Sequence, residues 1–129
     1  MRHIFFAVTF LCLSPFQAQA KDVAGVWVTE KGTTGGWLHV EIASCGDAYC
    51  GTVVSAKGPG DKSSVGTTII KDMKLGTSGK FSDGQIFAPD TKKWYASTMQ
   101  LGGDKLSVSG CVLGGLICRS QTWTRLIEE

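Results

Sequence analysis

The sequence predicts an all-β protein, a small antiparallel up-and-down barrel of about eight strands. Apolar and polar residues alternate in short runs, which is the period of a half-buried strand, and no long stretch keeps a helical period. The chain of 129 residues also contains 17 glycines, many of them between these runs, where turns are needed. Eight strands are the number at which a sheet closes into a small barrel without free edges.

The first twenty residues have the pattern of an export signal. A basic start, Met1-Arg2-His3, precedes an apolar run over residues 4–13, and the small residues Ala18 and Ala20 stand where a signal peptidase cleaves. The apolar run is about half the length of a membrane-spanning helix. We therefore expect residues 1–20 to be a signal peptide and residues 21–129 to form one exported barrel domain, with no transmembrane segment.

Four cysteines of this expected mature chain form two close pairs, Cys45 with Cys50 and Cys111 with Cys118. Exported cysteines are normally oxidised, so we expect two disulfides. Sequence alone allows three pairings, and the local one is favoured because each pair brackets a short stretch that contains glycine. The spacing argues against a zinc site and against a redox Cys-x-x-Cys motif. No metal or other cofactor is predicted.

The first three predicted strands are residues 24–30, 36–43 and 51–56. In the first, Val26 and Val28 share one face and Trp27 lies on the other. In the second, the alternation is clean, and the stretch from Cys45 to Cys50 then makes a stapled hairpin turn into the third strand. The two faces of the second strand are Leu38, Val40 and Ile42, expected to face the core, and Trp37, His39 and Glu41, expected to face outward.

The rest of the chain continues the same pattern. Residues 57–66 are rich in Gly, Pro, Asp and Ser and are predicted to be a surface loop. A β-branched strand follows at residues 67–71, and residues 72–79 are the one place where a brief helical turn is expected. Four further strands are predicted at residues 80–88, 93–101, 105–113 and 117–126, separated by turns at Pro89-Asp90, Gly102-Gly103-Asp104 and Gly114-Gly115.

The two ends of the strand series resemble the calycin barrels, the lipocalins and fatty-acid-binding proteins among them. The first strand carries Gly25 and Trp27 in a Gly-x-Trp motif, and the last carries Trp123 and Arg125. In calycins such a motif packs at the closed end of the barrel beneath an arginine of the last strand. The resemblance therefore implies that these four residues form the barrel closure, with a cation–π contact of about 0.5–2 kcal/mol between guanidinium and indole.

More closely, the chain resembles a bacterial family of exported domains of unknown function, DUF2147. The matching segments are Gly25-Val26-Trp27, the stretch from Cys45 to Gly51, Gly84 to Pro89, Tyr95-Ala96-Ser97, and the tail from Leu106 to Arg125. The chain departs from the usual family pattern in its short loop at residues 57–66 and in its lack of a glycine after Pro89. The resemblance implies a lipocalin-like barrel, periplasmic or secreted, and no established reaction.

We find no catalytic constellation, so no enzyme is predicted. His39 is the single histidine after residue 20, and it would line a cavity with Trp37 and Glu41 only if their face pointed inward. The carboxylates are scattered and stand mostly at turns. A second group of candidates is predicted to cluster near the Pro89 turn, where the side chains either pack one end of the barrel or in part form a pocket rim or a partner surface: Phe81, Phe87, Trp94 and Tyr95.

Charge limits the classes of partner. The formal net charge is +2, without the basic face expected of a nucleic-acid-binding protein and without a polybasic run suited to anionic membranes. By resemblance to calycins, the predicted function is binding of a small apolar or amphipathic ligand in the barrel. The alternative is a protein-binding module of the cell envelope, such as a periplasmic protease or lysozyme inhibitor, with its determinants on the loops at residues 57–66 and 92–94.

Overall fold

The computed structural model describes residues 22–127, so the predicted signal peptide lies outside the described residues. Each strand pairs antiparallel with the next, and the last pairs with the first, which closes a barrel. The predicted fold class is therefore confirmed. The strands are β1 (Gly25–Val28), β2 (Trp37–Cys45), β3 (Ala48–Lys57), β4 (Thr68–Leu75), β5 (Lys80–Ala88), β6 (Lys93–Gly102), β7 (Lys105–Val112) and β8 (Ile117–Arg125), with a 3₁₀ turn at Leu113–Gly115.

The inner face of the barrel is filled with apolar side chains. On β2, Val40 and Ile42 are at most 1% exposed while Glu41 is exposed, so the face that carries Leu38 is the inner one, as expected from the alternation. Trp37, His39 and Glu41 therefore do not line the interior. The core consists of Val23, Trp27, Val40, Ile42, Val53, Ile69, Ile70, Met73, Phe81, Met99, Leu106, Val108 and Trp123.

The up-and-down order gives the barrel two different ends. We call the end that carries the start of β1, the β2–β3 hairpin and the end of β8 the closed end. There the Trp27 indole is fully buried, and its Nε1 donates a 2.8 Å hydrogen bond to the carbonyl of Val23. The guanidinium carbon of Arg125 lies 4.4 Å from the centroid of the Trp27 ring. The opposite end, which we call the open end, carries the β1–β2, β3–β4, β5–β6 and β7–β8 connections.

Hydrogen bonding joins the first and last strands only near the closed end. β1 pairs with β8 at two positions, Trp27 with Arg125 and Val28 with Thr124, because β1 is only four residues long. Nearer the open end, β8 pairs with β7 alone among the described strands. The backbone N–H of Thr122 instead donates to the carboxylate of Glu30, which occupies the position of a strand partner.

Bulges bend the strands around this small barrel. The register shifts where β4 and β5 contain Asp72 (φ 56°) and Asp83 (φ 61°), and left-handed backbone is tolerated better by aspartate than by most residues. The helical turn expected over residues 72–79 was a wrong prediction. The positive φ at Asp72 makes a bulge, and β4 continues through it to Leu75.

Both disulfides follow the local pairing. Cys45–Cys50 spans the β2–β3 hairpin, where Cys45 pairs with Ala48 around a turn that contains Gly46 (φ 66°). Cys111–Cys118 joins residues that stand directly opposite each other on β7 and β8. One disulfide is therefore at the closed end and the other is at the open end.

Candidate functional site

A cavity of about 130 Å³ lies at the open end of the barrel. Leu38 and Ala56, which are paired across β2 and β3, form part of its lining and belong to the inner face. The cavity is therefore the mouth of the barrel, bounded on its outside by the connections between strands. Its other apolar walls are Trp37, Pro59 and Pro89, and its charged residues are Lys57, Asp61 and Lys62.

Glycines let the β1–β2 and β3–β4 connections pack closely at this mouth. A Cβ atom on Gly58 would lie 2.8 Å from a carbon of the Trp37 ring, and the backbone there is left-handed (φ 72°). Gly36 similarly stands against the carbonyl oxygen of Pro59. Since only glycine fits both positions, these residues hold the Trp37 ring at the edge of the cavity.

The charged groups at the mouth differ in how they are engaged. Lys62 Nζ donates to the carbonyls of Ala56 (3.3 Å) and Gly58 (3.1 Å), which ties the β3–β4 connection to β3. Asp61 accepts hydrogen bonds from the N–H and hydroxyl of Ser63, and these bonds lower the pKa of the Asp61 carboxyl. Within residues 22–127, Lys57 makes no side-chain hydrogen bond or ion pair, so its ammonium group remains available to a ligand.

The predicted site residues of β2 divide between the cavity and the outer face. Trp37 lines the mouth cavity, whereas Glu41 is exposed on the outer face. His39 lies half-buried on that same outer face and is not part of the cavity lining. Burial, and secondarily the charge of Lys57, lowers the pKa of His39 below its ordinary value.

The aromatic residues predicted near Pro89 do not form one group. Tyr95 is on the inner face near the mouth, where its hydroxyl lies 3.0 Å from that of Thr91. Phe87 and Trp94 are cross-strand partners with their ring centroids 5.4 Å apart, and Lys71 Nζ lies 4.0 Å from the centre of the Trp94 ring. Trp94 is exposed, whereas Phe87 is partly buried against the core, and neither ring lines the mouth cavity.

The expectation that Phe81 belongs with these aromatic residues was wrong. Phe81 is buried towards the closed end, where its ring meets that of Tyr49 edge-on with centroids 5.6 Å apart. It stands near the start of β5, and Phe87 stands near the end of the same strand. Six strand residues separate their Cα atoms by about 20 Å, since a strand rises about 3.3 Å per residue.

A second cavity, of about 310 Å³, is a groove on the outer face of β5, β6 and β7. Its lining combines outward-facing polar residues with Phe81 and Met99 of the inner face: Lys80, Phe81, Ser82, Thr98, Met99, Gln100, Ser107 and Ser109. We take the mouth cavity as the candidate site because the inner-face residues Leu38 and Ala56 meet three strand connections there.

One surface feature was missed by the sequence analysis. The β7–β8 connection exposes Val112 (40%), Leu113 (69%), Leu116 (85%) and Ile117 (54%). The signal was present in the sequence, because apolar pairs flank Gly114-Gly115 where most turns are polar. The turn residues and the cysteine spacing predict only a turn next to a disulfide in this stretch.

Within residues 22–127, no group of three or more His, Cys, Asp or Glu side chains is placed to hold a metal ion. No helix in this part of the chain is long and apolar enough to cross a membrane.

Comparisons with known proteins agree with this architecture. A family model described as "Uncharacterized protein conserved in bacteria (DUF2147)" matches residues 25–125. Among solved structures, protein HP1028 from the human pathogen Helicobacter pylori, described as belonging to the lipocalin family, is similar with a TM-score of 0.70. The two share 13% sequence identity over 83% of this chain and 84% of that one, so the likeness shows the fold alone. No curated protein matches.

Proposed function

The chain belongs to the bacterial DUF2147 family, and from that premise we propose that it is an exported, non-enzymatic protein that binds a small amphipathic ligand at the mouth of its barrel. The observation that carries the proposal is the mouth cavity. It brings apolar surface from Leu38, Ala56 and Trp37 together with Lys57, which makes no ion pair within residues 22–127. An apolar body with a negatively charged group matches this lining.

The packed core limits where such a ligand sits. Large side chains fill the barrel from Trp27 at the closed end through Val40, Ile70 and Leu106, all of which are fully buried. A ligand is therefore held at the mouth rather than deep inside, and its size is limited to a short apolar chain or a single ring system. The proposed ligand position is therefore the mouth of the barrel, whereas the sequence predicted a ligand inside the barrel.

The proposed location is the periplasm or the exterior of the cell. Two disulfides support it, because such bonds persist in oxidising compartments. We propose cleavage after Ala20, with residues 21–129 as a single mature domain. A binding role rather than a catalytic one is supported by His39, which lies outside the cavity.

The test combines native mass spectrometry of the protein purified from the periplasm with titration of naphthalene-1-sulfonate, a fluorescent probe with a single ring system and a negative charge. We expect a co-purifying small molecule and saturable probe binding. Ala56→Leu fills the mouth and Lys57→Ala removes the cation, so each should weaken probe binding about ten-fold, equivalent to about 1.4 kcal/mol.

Val54→Leu is the matched control, because Val54 is 44% exposed on the same strand and is not part of the cavity lining. Its probe affinity should equal that of the unmodified protein. Equal affinity for all four proteins, with no co-purifying molecule, would contradict ligand binding at the mouth. Retention of a periplasmic protease or lysozyme in that case would support the envelope protein-binding alternative.

A further inference from the structure

The β7–β8 connection displays a cluster of apolar side chains that the described fold leaves uncovered. We call Val112, Leu113, Leu116 and Ile117 the apolar tip; their exposed fractions are 40%, 69%, 85% and 54%. Single exposed apolar residues are common on protein surfaces, but four in a six-residue segment at the end of a hairpin are not. Clustered exposure of this kind marks a surface that contacts something else.

The tip is held in position rather than being a loose loop. The Cys111–Cys118 disulfide joins the two strands directly next to it. Leu113 has φ 54°, a left-handed conformation that costs a residue other than glycine free energy, and its carbonyl accepts a 3.3 Å bond from the Leu116 N–H. Binding therefore orders little additional chain, which lowers the entropic cost of docking.

The fold also gathers positive charge at the end of the barrel that carries the tip. Six cations stand on the open-end connections and the adjoining strand ends, against three carboxylates, for a local excess of three positive charges. Since the formal net charge of the whole chain is +2, the open end carries all of the net positive charge. The cations are Lys31, Lys57, Lys62, Lys92, Lys93 and Arg119, and the carboxylates are Glu30, Asp61 and Asp90.

These carboxylates do not neutralise the cations in ion pairs. Each of Glu30, Asp61 and Asp90 accepts a backbone N–H of its own end of the barrel. Among the described residues, none of the six cations lies in an ion pair with a carboxylate. Lys92 nevertheless lies close enough to Asp61 to help lower the pKa of that carboxyl, so the β5–β6 and β3–β4 connections are neighbours.

We propose that the open end of the barrel docks on an anionic phospholipid surface. Leu113 and Leu116 enter the boundary between headgroups and acyl chains, and Lys92, Lys93 and Arg119 lie beside lipid phosphates. Exposed apolar side chains at the same end of a protein as an excess of cations are the pattern of an interfacial membrane anchor. A stable protein partner would need about 800 Å² of complementary surface on this chain, which four side chains do not supply.

The first arm of the test is vesicle flotation with the mature chain, disulfides oxidised. We expect binding to phosphatidylglycerol vesicles about ten-fold stronger than to phosphatidylcholine vesicles. The double substitution Leu113→Ser, Leu116→Ser should lower the binding to phosphatidylglycerol by about ten-fold or more. Its unfolding midpoint should not fall, because both side chains are exposed. Leu75→Ser is the matched control, since Leu75 is 58% exposed at the closed end, and it should bind normally.

The second arm tests charge. Lys92→Glu with Lys93→Glu should abolish the preference for phosphatidylglycerol, whereas Lys74→Glu with Lys80→Glu, at the closed end, should keep it. Ala56→Leu should leave vesicle binding unchanged, so failure of the mouth cavity as a ligand site and failure of membrane docking can be told apart. Loss of the preference in the Lys92→Glu, Lys93→Glu variant and its retention in the Lys74→Glu, Lys80→Glu variant would support the lipid proposal.

Four outcomes would overturn it. Equal binding to phosphatidylglycerol and phosphatidylcholine vesicles would show that charge plays no role. If Leu75→Ser lost as much phosphatidylglycerol binding as the Leu113→Ser, Leu116→Ser variant, the position of the exposed leucine would not matter. Absence of vesicle binding, together with a concentration-dependent dimer that the serine variant loses in analytical ultracentrifugation, would assign the tip to self-association. Capture of an envelope protein by the tip without vesicle binding would assign it to a protein partner.

Discussion

His39 illustrates how the surroundings of one residue define what it can do. It lies half-buried on the outer face of β2, paired with Ser55 and close to the charge of Lys57. Burial penalises the imidazolium form and Lys57 repels it, so the pKa of His39 lies below its ordinary value. The neutral imidazole is therefore the favoured form of His39 in the folded protein.

We expect this histidine to make stability depend on pH. The unfolded chain takes up a proton near pH 6.5 where the folded protein does so only at lower pH, so protons favour the unfolded state. The free energy of unfolding should therefore fall as the pH is lowered from about 7.5 to about 5.5. Urea unfolding across this range measures the effect.

His39→Gln should flatten the slope between these pH values. Asp61 also has a lowered pKa, so its ionised carboxylate favours the folded state. That contribution to the free energy of unfolding is lost only at more acidic pH, because the ordinary pKa of aspartate is about 3.9. The Asp61→Asn variant is thus the control and should keep the slope above about pH 5.5. An unchanged slope in His39→Gln would assign the pH dependence to other groups.

The bulges in β4 and β5 show how two neighbouring strands are bent together. Asp72 and Asp83 adopt left-handed backbone, and Gly84 follows directly after the second bulge. A Cβ atom at Gly84 would lie 2.7 Å from both the sulfur and the terminal methyl of Met73 and 3.0 Å from the carbonyl oxygen of Lys71. The glycine therefore provides the space that the Met73 side chain fills inside the barrel.

Gly84→Ala should lower the free energy of unfolding by about 1–3 kcal/mol, since an added methyl overpacks a filled core and one of its close contacts is backbone. Gly102→Ala is the matched control, because nothing lies within 4 Å of a Cβ at that position. Urea unfolding of the two variants measures the difference. Equal stabilities would mean that Met73 moves aside without cost.

The bulges also explain why the bounds of β5 could be predicted from the sequence and those of β4 could not. For β5, the predicted and observed bounds coincide, because alternation and the Pro89 turn mark both ends. For β4, the prediction stopped at Lys71, since Asp72 breaks the alternation and aspartate disfavours strands. A bulge restores the strand beyond that point, but it depends on pairing with β3 and β5, which no local pattern reveals.

Arg125 connects the last strand to the first one and to the residues just before it. Its Nη1 and Nη2 donate to the carbonyls of Ala24 (3.1 Å) and Asp22 (2.8 Å), and the guanidinium lies over Trp27. Its Nε lies 3.3 Å from an Asp104 carboxylate oxygen, an ion pair whose geometry is not that of a hydrogen bond. These contacts reinforce β1 and β8 where only two residue pairs join them.

Arg125→Lys should therefore lower the free energy of unfolding by about 1–2 kcal/mol, because an ammonium group cannot stack and donate in this forked geometry. Arg119→Lys is the control at the exposed part of β8 and should change stability by less than about 0.5 kcal/mol. Thermal and urea unfolding measure both. If Arg125→Lys left the free energy of unfolding unchanged, a positive charge alone at this position would suffice to hold β1 and β8 together.

The sequence by itself determined the fold class, the number of strands and the family, and it favoured the local disulfide pairing, because alternation, turn residues and cysteine spacing are local properties of the chain. Only the tertiary structure decided what shares a surface. It placed Phe81 away from Phe87, filled the barrel beneath its mouth, and brought lysines from separate connections to the end that carries the apolar tip. Contacts between residues distant in the chain depend on strand register and bulges, and no short segment encodes them.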